Sequence, residues 1–304
     1  MPKPPIFRNL QLQAEFDQNG FVKMQLFSPE QVQRLEDFYI QTQAQHETVI
    51  EKKKFHATND TDNAELINEA DAFIKQVMME EIDKHFVDYK TIAANYLLKQ
   101  SSQESDLSPH QDLRFVDEEK FYSCNIWVAT RPTTKQNGCL RFLKGSHLLH
   151  DTIRPLPSYP WMYENVKAFI PPYFTDVTTE IGECVVLNHA CIHGSYPNLS
   201  GETRIAAILA LIPKDADICH YFLPDGNPDK EVEKYAMTLE DFVNLKGGQR
   251  PEKAPMVEKF KHDFAPVDVA EFKKWLSRNE TPQNLISDGY NFISTKLSAL
   301  FKRS

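Results

Sequence analysis

Basic residues are in short supply, and so are the patterns that accompany nucleic-acid grooves, disulfide frameworks and membranes. The 304-residue chain has 34 Lys and Arg against 43 Asp and Glu, a net charge of −9. A negative molecule of this kind repels a phosphate backbone unless a local basic groove overrides the field, so nucleic acid is not an expected partner. The five cysteines (Cys124, Cys139, Cys184, Cys191, Cys219) are odd in number, widely spaced and form no CxxC pair. They read as reduced thiols of a cytoplasmic protein. The first residues, MPKPPIFRNLQLQAEF, lack the unbroken apolar stretch of a signal peptide. The longest apolar run, Ile205 to Ile212, falls far short of the roughly 20 residues that span a bilayer, so no membrane is expected. Gly247-Gly248 lacks the further glycines and Lys of a phosphate cradle. Repeats and low-complexity tracts are also missing.

What is present is an ordinary globular composition, 41% apolar and 25% charged, with length enough for a well-buried core. Ser28-Pro29-Glu30-Gln31 has the form of a capping box, followed at helical spacing by Val32, Leu35, Phe38 and Tyr39. A second amphipathic helix is expected from about Asp62 to Phe86, with Leu66, Ala70, Ile74, Val77 and Ile82 on one side. From about Lys90 the texture changes to short β-rich runs: Ile92 to Leu98, Tyr122 to Ala129, Cys139 to Leu143, Cys184 to Leu187 and Ile205 to Ile212. Few are separated by a helix of crossover length, which argues for an antiparallel sandwich or barrel. After Pro213, helices are expected at Thr238 to Leu245, Val267 to Ser277 and Pro282 to Leu300. The expected plan is a single domain: a helical part over 1–88, a β core over 89–213 and a helical extension over 214–304.

Chemistry concentrates in two places. In His110-Gln111-Asp112 an extended backbone would send the imidazole and the carboxylate to the same face, where both can reach one ion. Eighty-one residues after Asp112 comes His193, in Ile192-His193-Gly194-Ser195, and eleven residues later Arg204 heads an apolar strand. Two His and one carboxylate form the facial triad that holds Fe(II) with one face open. An Arg that begins a buried strand needs an anion, which a dicarboxylate cosubstrate would supply. Taken singly, His110 reads as a solvated turn residue, His193 as a core histidine and Arg204 as a partner of Glu202 or Asp215.

These segments, together with Phe16-Asp17-Gln18-Asn19-Gly20-Phe21-Val22, Trp127, Asn137-Gly138-Cys139-Leu140-Arg141-Phe142, Gly145-Ser146-His147 and Gly182-Glu183-Cys184-Val185-Val186-Leu187, agree in order and spacing with a known family. Over roughly Phe16 to Ile212 the chain resembles the phytanoyl-CoA dioxygenase-like family of Fe(II)/2-oxoglutarate-dependent oxygenases. The resemblance implies a mainly β fold with flanking helices, built on a double-stranded β-helix (jelly-roll, cupin-like) core. It implies Fe(II) on His110, Asp112 and His193, and 2-oxoglutarate with its distal carboxylate on Arg204 and Ser195, flanked by Trp127. His147 belongs to the family's turn and reads as structural. Halogenating relatives replace the carboxylate that Asp112 supplies here, which favours hydroxylation or desaturation.

The expected activity is hydroxylation of a small organic molecule by O2, with succinate and CO2 as coproducts. Gln111, Arg114 and Arg141 are the candidates for substrate contact, with Lys99 and Gln100 on nearby segments, although each charged side chain read alone is a solvated one. A desaturase or cyclising oxidase using the same site is the alternative enzyme, and a cupin-like metal-binding protein without turnover is the alternative of another class. A homodimer is compatible with this reading. Of the two histidines in Asn188-His189-Ala190-Cys191-Ile192-His193, His193 is the expected ligand and His189 a supporting residue.

Overall fold

The computed structural model describes residues 3–46, 54–150, 152–245 and 248–279. Its elements in chain order are α1 (Leu10–Asn19), β1 (Phe21–Gln25), α2 (Pro29–His46), β2 (Phe55–Ala57), α3 (Ala64–His85), β3 (Tyr89–Lys99), β4 (Leu107–His110), β5 (Cys124–Ala129), β6 (Leu140–Phe142), β7 (Thr175–Val177), β8 (Glu183–Asn188), β9 (His193–Ser195), β10 (Arg204–Pro213), β11 (Ile218–Phe222), β12 (Val232–Met237), α4 (Leu239–Asn244), β13 (Met256–Phe260) and α5 (Val269–Asn279). The capping box at α2 forms as the sequence suggests. Ser28 Oγ accepts from the Gln31 N–H at 3.2 Å and Gln31 Oε1 accepts from the Ser28 N–H at 2.8 Å, a device that contributes about 1 kcal/mol. Asn63 starts α3 in the same way, accepting from the Leu66 N–H.

Two antiparallel sheets make the core. The larger runs β1-β8-β5-β10-β3-β2 and the smaller β4-β9-β6-β7. They pack face to face as an open, jelly-roll-like pair rather than a closed barrel. Period-two alternation on β5 shows why it is buried throughout. Cys124, Ile126 and Val128 turn outward to a core shared with Val32, Leu35, Ile74, Val77 and Met78 of α2 and α3. Trp127 and Ala129 turn inward, against Leu140, Phe142 and Val177 of the smaller sheet. The inner face thus receives Asn125 from β5, and Leu97 and Lys99 from β3. From β10 it receives Arg204, Ala206 and Ile208.

Beyond Pro213 the helices expected at Thr238 to Leu245 and Val267 to Ser277 are present as α4 and α5, but the part is not purely helical. Strands β11, β12 and β13 form a third antiparallel sheet, and α4 and α5 are the helices that accompany it. The signal was a hairpin: two short runs rich in aromatic and β-branched residues, Ile218–Phe222 and Val232–Met237, flank the turn-forming Pro224-Asp225-Gly226. The helix expected over Pro282 to Leu300 lies outside the described residues. No helix among the described residues is long and apolar enough to cross a membrane.

Candidate metal and carboxylate site

Strand pairing brings the two ends of the triad together. His110, the last residue of β4, is the direct antiparallel partner of His193, the first of β9, and their rings lie 4.3 Å apart between centroids. The next residue has to be glycine, because a Cβ at Gly194 would sit 2.5 Å from the Leu107 carbonyl oxygen. Asp112 completes the group: its Oδ1 stands 3.8 Å from Nε2 of His110 and 3.8 Å from Nε2 of His193. One donor atom from each of the three residues falls within 4.8 Å of the others.

Their remaining atoms are already engaged. Nδ1 of His110 lies 2.9 Å from the Ser108 carbonyl and Nδ1 of His193 lies 2.9 Å from the Cys191 carbonyl. A carbonyl can only accept, so each Nδ1 carries a proton, and it is Nε2 whose lone pair is available in the neutral ring. Asp112 Oδ2 accepts from Asn125 Nδ2 at 2.9 Å, which leaves Oδ1 as the free oxygen. The Asp112 backbone is held as well, its N–H donating to the His189 carbonyl at 3.0 Å and its own carbonyl accepting from Arg154 Nε. Burial alone would raise the Asp112 carboxyl. The imidazoles of His193, His189 and His110, with the Asn125 hydrogen bond, reverse that and hold it below its ordinary value.

At the far end of the inner face Arg204, first residue of β10, pairs directly with Lys99, last residue of β3. Like charges directly opposite on a sheet repel, and here both are buried. Arg204 donates from Nη1 to the Gly138 carbonyl, and its guanidinium carbon lies 5.2 Å from the Trp127 ring centre. Arg204 Nε and Trp127 Nε1 are both buried donors with no hydrogen-bond partner among the described residues. Glu202, one of the partners the sequence offered to Arg204, instead pairs with Arg131 at 2.6 Å. Burial pushes the Arg204 guanidinium down to about 10. Ser195 Oγ accepts from Lys99 Nζ at 2.7 Å.

Not every expected contact is brought to the triad. A cavity of about 270 Å³ opens beside His110, lined also by Gln111, Tyr159, Trp161, Glu164 and Lys167. Gln111 therefore stands where a substrate could meet it, although its amide donates to the Ala190 carbonyl and its oxygen accepts from Trp161 Nε1 at 3.2 Å. Arg114 does not line that cavity; it is buried against the Val116 carbonyl and ion-paired to Asp117. Arg141 pairs with Gly194, on the face of β6 opposite Leu140 and Phe142, and its guanidinium lies between the rings of Phe174 and Tyr196. Solvated charges they are not: Lys99 and Arg114 are buried, and the Arg141 side chain is 12% exposed.

His189 is fully buried, its Nδ1 2.9 Å from Ser123 Oγ, and burial pushes its imidazole down to about 4. His147 reaches the Asp17 carbonyl. Sequence reasoning did not single out Asn125 or Arg154, and only in part Lys99. Asn125 had a signal, being the one amide in the apolar run Cys124–Ala129. Arg154 had none, since its partners Glu118 and Asp112 come from a separate segment and only Thr152 is a chain neighbour.

Two antiparallel sheets with two imidazoles and one carboxylate converging between them define a class, the jelly-roll proteins with a non-haem iron type of facial triad. The sequence model of the phytanoyl-CoA dioxygenase family matches residues 16–206, well over half of the chain. The chain belongs to that family of Fe(II)/2-oxoglutarate-dependent oxygenases. Among curated relatives it is 30% identical over 137 residues to phytanoyl-CoA dioxygenase 1 of Oryza sativa subsp. japonica, covering 43% of this chain and 46% of that one. It is 30% identical over 122 residues to phytanoyl-CoA dioxygenase domain-containing protein 1 of Rattus norvegicus, covering 38% and 42%. The chain thus spans about half the length, or less, of the curated relatives it matches. Among solved structures it shares its fold with the non-heme alpha ketoglutarate dependent carbocyclase SnoK (TM-score 0.53, 15% identity, 82% of this chain and 96% of that one). The epimerase SnoN is similar at the same level (TM-score 0.52, 17% identity, 84% and 94%).

Proposed function

We propose that His110, Asp112 and His193 hold Fe(II), that Arg204, Ser195 and Trp127 receive the distal carboxylate of 2-oxoglutarate, and that the protein hydroxylates a small organic molecule. The observation that carries this reading is the pairing of two incomplete sets on one inner face. At one end three donor atoms converge with no acid proton among them. At the other a buried guanidinium and an indole each keep an N–H without an acceptor. Orphaned buried donors are costly, and an anion bound beside Arg204 would relieve that cost. When bound, Fe(II) and 2-oxoglutarate together supply an oxidant from O2, releasing succinate and CO2.

The chain's own residues supply the rest. Ser108 and Cys191 fix the tautomers of His110 and His193, and Asn125 turns one Asp112 oxygen outward to the ion. Arg204 anchors the cosubstrate from a strand, so its reach is set by backbone pairing rather than by a loop. Gln111 and Trp161 form the wall against which a substrate C–H bond is positioned. The wall residues include both a carboxylate and an ammonium group, Glu164 and Lys167, which suits a polar small molecule. All five cysteines are free and buried, in keeping with a reducing cytoplasm. Because the fold also carries an epimerase and a carbocyclase, desaturation or cyclisation is the alternative outcome at the same site.

The test is spectroscopic. Fe(II) and 2-oxoglutarate added anaerobically should give a visible metal-to-ligand charge-transfer band, and admission of O2 should release succinate. Bound iron with no band at saturating 2-oxoglutarate would overturn the cosubstrate assignment.

A further inference from the structure

Among the described residues Lys99 is the one buried lysine, and the fold leaves its role open. Its ammonium makes three hydrogen bonds, to the carbonyls of Ser105 (2.6 Å) and Tyr196 (2.8 Å) and to Ser195 Oγ (2.7 Å). All three of its protons are then engaged. Its stem is pressed against the turn at Gly138, where φ is +86° and a Cβ would meet Lys99 Cδ at 2.7 Å. That same turn offers its carbonyl to Arg204. Two cations are therefore packed side by side at the closed end of the inner face, opposite each other in the strand register. The carboxylate that acts most on Lys99 among the described residues is Asp106, and it is shared with Arg141 at 3.3 Å.

Ser195 is the informative neighbour. Its Oγ accepts from Lys99, so its own proton must be donated to something else, and the lysine decides which way that proton points.

We propose that Lys99 is a positioning residue of the carboxylate pocket, orienting the Ser195 hydroxyl toward the distal carboxylate of 2-oxoglutarate and adding a second positive charge whose protonation state regulates cosubstrate binding. The proposal rests on the cosubstrate reading above and deepens it.

The charged groups close enough to act on Lys99 are Arg204 from β10, Asp106 and, from the other face of β6, Arg141, with the Cys139 thiol beside them. Burial, then the Arg204 guanidinium, pushes the Lys99 ammonium down to about 7. A dicarboxylate restores the missing negative charge and raises it again. On the proposal, near neutral pH the free protein holds the third proton of Lys99 only loosely, and a proton should be taken up as the cosubstrate binds. Affinity should be highest below about pH 7 and fall as pH rises through it, by about tenfold in all, the same loss as removing the charge outright.

The experiment measures 2-oxoglutarate binding to the Mn(II)-loaded protein by calorimetry between about pH 6 and pH 9, in buffers of different ionisation enthalpy. The wild type should take up a proton and lose affinity with rising pH. Lys99→Met should bind about tenfold more weakly at the acid end, with no proton uptake and a flatter profile. Ser195→Ala in the Lys99→Met background should add less than it does alone, because the two residues act through one hydrogen bond. Mn(II) stoichiometry and the melting temperature report whether the variants are folded.

Wild-type binding without proton uptake, or a Lys99→Met profile that retains the wild-type pH dependence, overturns the proposal. The wild-type measurement stands even if the variant does not fold. Arg204→Met separates the two readings. If it weakens binding while the Lys99 arms fail, only the role of Lys99 is lost, whereas a wild type that does not bind 2-oxoglutarate removes the pocket assignment itself.

Discussion

The two ends of the inner face are built on opposite principles. At the triad two of the three side chains are partly open, His110 34% and Asp112 23% exposed with His193 buried behind them, and the atoms not aimed at the ion are tied to the protein. At the carboxylate end the side chains are buried, and two donors, Arg204 Nε and Trp127 Nε1, lack partners among the described residues. The first end is preorganised by satisfying what must not move. The second is held ready by leaving a charge without its counter-ion, and a buried unpaired cation is stable only where strands and aromatic rings confine it. The open end is therefore suited to exchange of ligands, and the closed end to retention of one.

The comparison breaks most visibly if the triad is not the metal site. Asp112→Ala should abolish coupled turnover and lower Fe(II) affinity, because it removes a ligand that Asn125 and the backbone hold in place. Full succinate formation coupled to substrate oxidation in this variant would remove the distinction between the two ends. Arg204→Met is the matching cut at the closed end. Loss of one member of a buried charged pair costs on the order of 3–5 kcal/mol, so the apparent 2-oxoglutarate requirement should rise by roughly two orders of magnitude or more. Iron stoichiometry should stay near that of the wild type, and a parallel loss of iron would show that the ends are not separable.

Smaller effects sharpen the picture. Asn125→Leu keeps the three ligands and frees Asp112 Oδ2 to swing toward the ion; metal affinity or rate should fall by about tenfold to a hundredfold, the usual cost of losing an outer partner. An unchanged affinity in a metal titration would mean that the Asn125 bond does not orient the carboxylate. His189→Ala is the mildest cut. It should keep its iron and lose rate only modestly, while removal of the partner of Ser123 lowers stability by about 1–3 kcal/mol in thermal unfolding. The opposite ranking of His189 and His193 in iron stoichiometry would reassign the distal ligand.

The sequence made the triad and Arg204 legible because their positions are fixed by short-range rules. His110 and Asp112 are two residues apart, His193 opens a Gly-Ser turn into a strand, and Arg204 is the one cation at the head of an apolar run. The five β runs of the core were legible for the same reason, since alternation and burial mark them locally. What escaped depends on pairing between distant strands. Nothing near Lys99 in the chain says that it will face Arg204, because that follows from the β3–β10 register, and read alone it looks like a solvated strand end. Arg141 looked available for substrate until its pairing with Gly194 set which face it occupies. The third sheet was missed for a different reason: β11 and β12 are short, and the loose composition around them resembled a helical tail more than a hairpin.

One feature of the open end reaches beyond a single substrate. The segment between β6 and β7, which carries Tyr159 and Trp161, contains short 3-10 turns at Glu164–Phe169 and Pro171–Tyr173. Tyr163, Val166 and Ile170 seat it against Phe272 and Leu276 of α5. None of the ligands or carboxylate donors lies on it, but Arg154 does, and its Nε holds the Asp112 carbonyl. From Tyr159 onward its shape can be changed by loop exchange in the laboratory, with α5 as its separate foundation, while the strands that carry the triad and Arg204 stay as they are.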